Sequence, residues 1–313
     1  MWQPSASFTV LQQRAKIVSD IRRFFASNNV LEVDVPVIGA SSVTDPHLDS
    51  LALTINTNDY YLQTSPEFFM KRLLAAGYGD MYYLGKAFRQ DESGRHHNPE
   101  FTMLEWYRLD FDDQQLMDEV ISLVTLFKPD LVVEKITYGD IFMRYTGLNP
   151  YVASAEELKK YAKTHIDFQW DDDNKSTWLD LIFSHVIEPR MSSSLTVVYD
   201  YPSEQAALAK TALNLAGNKV AKRFECFLQG VELANGYWEL TDPVEQAKRF
   251  DNDNAMRKTM HKKEICVDTK LLAALQQGMP ECAGVALGVD RLVMALTDAE
   301  RLAAVQSFTW SAL

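Results

Sequence analysis

The sequence predicts an α+β domain in which antiparallel strands are flanked by helices, and three observations predict it. Strand-type segments follow one another within residues 81–108 and again within residues 196–240. The helical patterns are grouped around these segments, whereas a doubly wound parallel sheet would alternate strands with helices. Neither the P-loop nor the dinucleotide-binding glycine pattern occurs. Any nucleotide is therefore expected to be held by side chains on a sheet.

The composition is that of a folded protein of 313 residues, long enough for one large domain. Acidic side chains number 43 against 31 basic ones, and the formal charge of −12 disfavours broad attraction to nucleic acid or to an anionic membrane. No apolar run approaches the roughly 20 residues that cross a bilayer. The start lacks a signal-peptide pattern, and Cys226, Cys266 and Cys282 fit a reducing compartment. We therefore expect a cytoplasmic protein.

The N-terminal part is expected to contain two helices and a short strand. Residues 11–26 carry apolar side chains at helical spacing, and residues 31–35 favour a strand. A second helix is expected at residues 66–76, because Ser65 is a good capping residue and Pro66 suits the first helical position.

A hairpin with a long charged loop is expected at residues 81–108. Aromatic and aliphatic residues typical of strands flank the polar stretch 91–97. On the second strand, side chains two positions apart share one face, so Glu105 and Tyr107 are expected to lie side by side.

The rest of the chain continues this mixture of strands and helices. Residues 137–194 carry helical patterns and are expected to form an insertion over the sheet. The elements expected after it are strands at 196–199, 223–228 and 231–240, helices from 242 to about 260 and ending near 278, and a strand at 284–288 that passes directly into a helix.

The first group of residues able to carry chemistry consists of Arg89 and the segment 97–107. An arginine on a central strand is costly to desolvate and is best explained by an anionic partner, either a carboxylate or a phosphate. The alternative is an internal arginine–glutamate pair that supports the hairpin. His96 and His97 lack a nearby cysteine or third histidine, so solvated or phosphate-facing histidines are favoured over a metal site.

The second group contains the three carboxylates Glu225, Glu232 and Glu239. Carboxylates on two adjoining strands repel one another unless cations intervene, and Mg²⁺ characteristically binds one or two carboxylates together with substrate phosphates. The alternative is that Glu225 and Glu232 face solvent on an amphipathic hairpin. Glu239 follows Tyr237 and Trp238, and such surroundings suit an ammonium ligand.

The third group is the glycine-spaced strand 284–288 with Arg291 on the helix that follows. Small residues let a flat ligand lie against the strand, and Arg291 can meet a phosphate. A packing explanation stays open as well, in which Asp290 pairs with Arg291.

In their residue types and their order along the chain, the three groups together resemble class II aminoacyl-tRNA synthetases, and within these the catalytic domain of lysyl-tRNA synthetases. The resemblance covers about residues 15–296 and implies a class II synthetase-like antiparallel sheet flanked by helices. Residues 15–38 resemble the family's first motif, which forms a dimer interface. Residues 88–91 with 97–107 resemble the second motif, and residues 284–291 resemble the third.

The sequence departs from the family pattern at a few positions. Asn29 and Val30 stand where a glycine and an aromatic residue are usual, and Gln90 and Asp91 replace the common Asn and Glu. Ala286 stands where synthetases that charge tRNA with lysine commonly have glycine.

The resemblance implies a role for each matching residue. Arg89 is expected to bridge the amino-acid carboxylate and the α-phosphate of ATP, and Arg291 to meet the γ-phosphate. The further implied contacts are ATP for Asp91, His97, Asn98, Glu232, Leu233 and Gly288, Mg²⁺ for Glu225 and Glu232, the substrate's backbone amine for Ser65, Pro66 and Glu67, and its ε-ammonium for Glu105, Tyr107, Asn235 and Glu239.

Lysyl-tRNA synthetases carry an anticodon-binding β-barrel before the first motif, and here only a short segment precedes that motif. We therefore expect residues 1–313 to form a single catalytic domain, with the helical insertion at about 137–194 and no N-terminal anticodon-binding domain. Together with Ser65 and Ala286, this closely resembles the elongation factor P lysine ligases. These stand-alone paralogues activate lysine, preferentially (R)-β-lysine, and transfer it to a lysine side chain of elongation factor P.

The resemblance implies ATP and Mg²⁺ as cofactors, elongation factor P as the acceptor, no recognition of a tRNA anticodon, no membrane partner and a homodimer. Two alternatives stay open. One is a truncated lysyl-tRNA synthetase-like enzyme that acylates tRNA or another small acceptor. The other is a synthetase-like regulator without catalysis, which the retained Arg89, Glu225, Glu232 and Arg291 disfavour because converging charges are costly to desolvate.

Overall fold

The structure is a computed structural model that describes residues 2–90, 94–191 and 195–312. Its α-helices in this part of the chain are α1 (Phe8–Ser27), α2 (Glu67–Ala75), α3 (Asp113–Phe127), α4 (Tyr138–Thr146), α5 (Ala155–His165), α6 (Lys175–Ile182), α7 (Pro243–Thr259), α8 (Thr269–Gly278) and α9 (Val289–Leu296). Within the residues described, no helix is long and apolar enough to cross a membrane.

The strands are short to medium in length and come in several hairpins. They are β1 (Leu31–Glu32), β2 (Ile38–Gly39), β3 (Ala52–Ile55), β4 (Asn58–Leu62), β5 (Met81–Phe88), β6 (Glu100–Leu109), β7 (Val133–Thr137), β8 (Leu195–Pro202), β9 (Thr211–Leu213), β10 (Lys219–Leu228), β11 (Val231–Trp238) and β12 (Cys282–Gly288).

The chain divides into two compact units. The first unit combines Met1–Asp112 with Leu240–Leu313, and the second unit is Asp113–Glu239.

The first unit contains strands in the order β1-β5-β6-β12 and a small separate sheet in the order β2-β4-β3. β5 and β6 form the predicted antiparallel hairpin, β12 is antiparallel to β6, and β1 is parallel to β5. Helix α1 is held by Phe25, whose fully buried ring stacks on Tyr82 at 4.5 Å and meets the edge of Trp106 at 5.3 Å. Aromatic packing therefore fixes α1 beside the strands that carry the second motif.

The second unit contains strands in the order β11-β10-β8-β7, with β9 at the edge of β10. β10 is antiparallel to both β8 and β11, and β7 is parallel to β8. A core of stacked aromatic rings lies among α4, α6 and these strands, and the ring of Tyr138 lies 5.0 Å from that of Phe183 and 4.8 Å from that of Tyr201. This core supports the strands that carry the second group of carboxylates.

A tight turn at Gln229 and Gly230 joins β10 to β11. Both residues have positive φ, and a Cβ at Gly230 would lie 2.9 Å from the carbonyl oxygen of Glu188. Glycine is therefore required at this position, and the turn sets which residues of the two strands face each other.

Most predicted elements are confirmed, with shifted ends. The strand expected at 31–35 is only Leu31–Glu32, and the second helix begins at Glu67, not at Pro66. Helices α4, α5 and α6 lie within the predicted helical stretch 137–194, of which residues 192–194 lie outside the described part. The expectation of a single domain stays a prediction.

The mixed α+β class is confirmed, and the pairings within each unit are antiparallel except for β1 with β5 and β7 with β8.

Candidate active site

The side chain of Glu105 is the centre of a hydrogen-bonded cluster in the first unit. It lies on β6 and is only 2% exposed. Ser65 Oγ donates to Glu105 Oε2 at 2.6 Å, and Tyr107 Oη donates to Glu105 Oε1 at 2.8 Å. The predicted side-by-side placement of Glu105 and Tyr107 is therefore confirmed, because residues two apart on a strand share a face.

Burial raises the pKa of Glu105 to about 8, and the nearby negative charge of Glu67 adds to this effect. The hydrogen bonds from Ser65 and Tyr107 and the charge of Lys71 act in the opposite direction. A buried carboxyl group with this pKa is poised to exchange its proton for a cation near neutral pH.

The first turns of α2 add a buried ion pair to the cluster. Glu67 Oε1 lies 2.6 Å from Lys71 Nζ, and the lysine is only 1% exposed. Ser65 Oγ also accepts a hydrogen bond from the backbone nitrogen of Glu67 at 3.0 Å, so it links the start of α2 to Glu105. We call Ser65, Glu67, Lys71, Glu105 and Tyr107 the Glu105 cluster.

Ala286 lies next to the Glu105 cluster by strand register. It is the direct partner of Glu105 in the antiparallel pairing of β12 with β6, and Gly284 is the partner of Tyr107. Directly opposed residues point to the same face of a sheet, so the methyl group of Ala286 is on the face of the Glu105 side chain. Pro66 is buried immediately before α2.

A second set of side chains in the first unit is basic. Arg291 Nη2 lies 2.7 Å from His97 Nε2, and Arg291 Nε donates to the carbonyl oxygen of His96 at 3.4 Å. Because a guanidinium nitrogen can only donate, His97 Nε2 accepts in this contact. Burial and the charges of Arg95 and Arg291 lower the pKa of His96. Such a concentration of positive charge suits an anion.

Arg89 lies just beyond the end of β5, where its backbone nitrogen donates to the carbonyl oxygen of Pro99 at 2.9 Å. Its guanidinium group lies over the ring of Phe101, 5.2 Å from the centroid, and the residue is partly buried. The hairpin and the phenyl ring therefore hold the arginine in a definite direction.

Hydrogen bonds within the protein explain why Asn98 is buried, whereas packing does not explain the glycine at position 288. Asn98 is buried, its amide nitrogen donates to the carbonyl oxygen of Glu100 at 2.7 Å, and its amide oxygen accepts from the backbone nitrogen of Trp310 at 3.0 Å. A Cβ at Gly288 would lie 3.8 Å from the nearest atom of Arg291, which is an ordinary contact, so packing alone does not require glycine there. Asp91 lies outside the described residues.

The packing alternative for Asp290 does not hold, because its carboxylate is bound elsewhere. Asp290 Oδ1 lies 2.5 Å from Arg14 Nη1, and Oδ2 accepts hydrogen bonds from the backbone nitrogen of Thr102 at 2.7 Å and from the side chain of Gln306 at 3.1 Å. Asp290 thus ties α9 to α1 and β6, and Arg291 extends from the same helix.

In the second unit, Glu225 on β10 is buried and held on both oxygens. Tyr201 Oη donates to Oε2 at 2.8 Å, Arg223 donates to Oε1, and the amide nitrogen of Asn235 lies 3.5 Å from Oε1. Burial is the main cause that raises the pKa of Glu225, the charge of Arg223 opposes it, and the charge of Glu232 adds to it. The alternative of a solvent-facing Glu225 is therefore wrong.

Glu225 and Glu232 share one face of the β10–β11 hairpin. Phe227 lies two residues after Glu225 on β10 and is the direct register partner of Glu232 on β11. Like charges on one face favour a cation between them, and two carboxylates match the share of ligands that Mg²⁺ takes from a protein. Within the described residues no group of three or more histidine, cysteine or acidic side chains could hold a metal ion.

Asn235 and Glu239 continue along β11 and beyond its end. Asn235 is the register partner of Glu225, and its amide oxygen is buried without a hydrogen-bond partner in the described part of the chain. Glu239 is only 1% exposed and pairs with Ala209 in an isolated bridge. Leu233, the residue after Glu232 on β11, is buried.

The aromatic rings beside Glu239 already contact cations of the protein. Lys210 Nζ lies 4.9 Å from the ring centroid of Trp238, and the guanidinium carbon of Arg223 lies 5.9 Å from that of Tyr237. The carboxylate of Glu239 is therefore a better candidate ammonium ligand than the two rings.

The sequence-based prediction missed Lys71, Arg223 and Tyr201. Lys71 follows Glu67 by four residues, which is the spacing of an ion pair on a helix, and Arg223 precedes Glu225 by two residues on a strand. Both signals were present. Tyr201 is on a different strand from Glu225, and no local pattern points to that contact.

Comparison with known proteins agrees with this geometry. Residues 3–311 match the family of class II tRNA synthetases (D, K and N), and the chain belongs to this family. Among its relatives is the elongation factor P (R)-β-lysine ligase of Vibrio cholerae, with 46% identity over 98% of this chain and 97% of that protein. The ligases of the same name from Vibrio vulnificus and Photorhabdus laumondii are 47% and 45% identical, over 94% and 98% of this chain and 93% and 97% of their own lengths.

Proposed function

We propose that this protein is an ATP-dependent ligase that activates lysine, preferentially (R)-β-lysine, as an aminoacyl-adenylate and transfers it to a lysine side chain of elongation factor P. The observation that carries the proposal is the similarity, along nearly the whole of both chains, to relatives that bear the name of this ligase. An enzyme with this acceptor works in the cytoplasm.

The Glu105 cluster supports a substrate that carries ammonium groups. Glu105 is a buried carboxyl group. Hydrogen bonds from Ser65 and Tyr107, and not solvent, set the orientation of its side chain. We assign the ε-ammonium to Glu105 and Tyr107, and the amine near the carboxylate to Ser65, Pro66 and Glu67. Charge-assisted hydrogen bonds to buried carboxylates are strong enough to select a diamino acid.

Asn235 and Glu239 are also assigned to the ε-ammonium. The unpartnered amide oxygen of Asn235 and the buried carboxylate of Glu239 are both acceptors, as an ammonium group requires.

The arginines are assigned to the reacting groups. Arg89 orients the substrate carboxylate against the α-phosphate, and Arg291 with His97 binds the γ-phosphate. Asp91 and Asn98 are assigned to ATP. The amide nitrogen and the amide oxygen of Asn98 each have one backbone partner, and each can make one further hydrogen bond. Gly288 and Leu233 are assigned to the nucleotide, and the space at Gly288 is consistent with close approach of its sugar.

Glu225 and Glu232 are assigned to Mg²⁺. When bound, the ion supplies positive charge that offsets the phosphate charges during the displacement. Tyr201 and Arg223 hold the carboxylate of Glu225 in place, and Glu232 is assigned a contact with ATP as well.

The reaction consists of two displacements. In the first, a carboxylate oxygen of the substrate attacks the α-phosphorus of ATP, a new P–O bond forms, and pyrophosphate leaves with the electrons of the broken bond. In the second, the amine of the acceptor lysine attacks the activated carbonyl carbon, AMP leaves, and the amine gives up a proton to solvent. The products are an amide on the acceptor, AMP and pyrophosphate.

We further propose a homodimer, built on the segment that resembles the first motif, and no recognition of a tRNA anticodon. Ala286 is assigned to the choice between α- and β-lysine, because its methyl group is on the face of Glu105 where glycine would leave space.

The test is amino-acid-dependent exchange of pyrophosphate into ATP with α-lysine, (R)-β-lysine and (S)-β-lysine as separate substrates. We expect exchange with (R)-β-lysine to be the fastest, and the Glu105→Gln variant to lose it while its thermal unfolding shows a folded protein. Absence of exchange with every diamino acid would refute the proposed substrate class. Equal exchange rates with unrelated amino acids would refute the proposed role of Glu105.

A further inference from the structure

Lys71 is a buried lysine inside the cluster that we assign to a substrate with ammonium groups. It is 1% exposed and its Nζ lies 2.6 Å from Glu67 Oε1, whose side chain is 15% exposed. Burying an ammonium group is costly unless the group is paired. The site proposed to bind a cationic substrate therefore already contains the cation of Lys71. The presence of this cation requires an explanation.

The charges around Glu105 supply that explanation. Glu67 acts on Glu105 as a like charge, and Lys71 acts on it as an opposite charge. The other neighbours that titrate are Tyr107 on the same strand and Tyr83, the register partner of Glu105 on β5.

From β12, the register partner of Glu105 is the uncharged Ala286, and from the segment before α2 the contact is the hydroxyl of Ser65. Both tyrosines are neutral at physiological pH. With Glu105 ionised, the cluster thus holds two negative charges and one positive charge.

We propose that Lys71 is a positioning residue for substrate binding: its ion pair fixes the carboxylate of Glu67 and offsets the negative charge that Glu67 places beside Glu105, so that the carboxylate of Glu105 stays available for an ammonium group. This inference rests on the proposed function and deepens it, because it states how two neighbouring carboxylates of the cluster can serve the same substrate.

A purely structural role is the alternative. Glu67 and Lys71 are four residues apart on α2, and pairs at this spacing stabilise helices wherever they occur. A structural role predicts lower stability without any change in how substrate binding depends on pH. A positioning role predicts that this pH dependence moves, since the charge next to Glu105 changes.

The experiment measures the dissociation constant of (R)-β-lysine by calorimetry between pH 6 and pH 9 for the full chain and four variants. Lys71→Met removes the charge at similar size, and Lys71→Arg retains it. Glu67→Gln removes the like charge beside Glu105. Lys135→Met serves as the matched control, because it breaks an exposed ion pair in which Lys135 Nζ lies 3.0 Å from Asp118 Oδ1.

We expect Lys71→Met to move the midpoint of the pH dependence upward by about one unit, because loss of the positive charge makes Glu105 harder to ionise. One unit corresponds to a factor of ten in the ionised fraction, so binding at pH 7.5 should weaken about tenfold. Lys71→Arg should keep the midpoint of the unmodified chain, and Glu67→Gln should move it downward. Lys135→Met should change neither the affinity nor the midpoint. If Lys71→Met does not fold, Lys71→Gln takes its place in the same measurement.

A midpoint in Lys71→Met or Lys71→Gln that equals that of the unmodified chain, with or without a change in affinity, would overturn the inference alone. Absence of diamino-acid binding by the unmodified chain would overturn the proposed function, and the inference with it.

Discussion

Binding of an ammonium group beside Glu105 should expel a proton from the protein. With a pKa of about 8, roughly nine in ten Glu105 side chains carry a proton at pH 7, and ionising them costs about 1.4 kcal/mol. A substrate ammonium binds the ionised form, so about 0.9 protons should be released per molecule bound at pH 7. The affinity should rise roughly ninefold from pH 6 to pH 7, roughly fivefold from pH 7 to pH 8, and little above pH 9.

The assay is calorimetric titration of the protein with (R)-β-lysine in two buffers of different ionisation enthalpy, from which the number of released protons follows directly. Glu105→Gln should release none and bind more weakly, whereas Glu281→Gln, on the exposed residue just before β12, should behave as the unmodified chain does. Normal binding at pH 7 with no release of protons would refute the assignment of Glu105 as the buried acid that meets the ammonium.

Three further substitutions test other parts of the site. Gly288→Ala should leave the free energy of unfolding within about 0.5 kcal/mol, because a Cβ there makes only ordinary contacts, but should raise KM for ATP about tenfold; an unchanged KM would remove Gly288 from the nucleotide site. Arg223→Met should lower the free energy of unfolding by about 3 kcal/mol in a denaturant titration, because it leaves Glu225 buried without its cation; a loss as small as that of an exposed pair, below about 1 kcal/mol, would show that the Arg223–Glu225 pair adds little. Ala286→Gly should shift the ratio of (R)-β-lysine to α-lysine activation about tenfold toward α-lysine in the exchange assay, and an unchanged ratio would exclude the steric role of the methyl group.

The raised pKa of Glu105 also has a consequence for stability. The folded protein binds a proton at Glu105 over a pH range in which the unfolded chain has lost it, so the free energy of unfolding should fall as the pH rises from about 5 to 8. Glu105→Gln should remove this part of the dependence and be the more stable protein at pH 8. Equal slopes in thermal unfolding of both proteins across this range would contradict the buried, protonated state.

Features that follow from local rules were predictable from the sequence. Period-two alternation predicted that Glu105 and Tyr107 share a face, and the helical spacing of α1 and the direct passage from β12 into α9 were equally readable. Helix α3 carries the same kind of spacing and was missed although its signal was present.

Contacts between segments far apart in sequence were not predictable in the same way. Tyr201 reaches Glu225 only because β8 pairs with β10 in a register that shifts between Ala221 and Phe224, and no short motif encodes such a shift. The partner of Asp290 is a further case, since Arg14 lies 276 positions earlier in the chain and the neighbouring Arg291 is the more obvious choice from sequence.

The resemblance to the family and the geometry of the folded chain identified different features of the site. The residue types and their order assigned Glu225 and Glu232 to a metal ion, and the register of β10 and β11 places them on one face. The burial of Glu105 and the ion pair of Lys71 became visible only in the folded chain, because both depend on how α2 packs near β6.

The central claim is that the chain attaches a lysine-type amino acid to elongation factor P. The most direct measurement is mass spectrometry of purified elongation factor P after incubation with this protein, ATP, Mg²⁺ and (R)-β-lysine, with lysine tRNA offered in a parallel reaction. We predict that elongation factor P gains the mass of one lysyl residue on a single lysine side chain and that the tRNA stays uncharged. Charged tRNA beside unmodified elongation factor P would contradict the account.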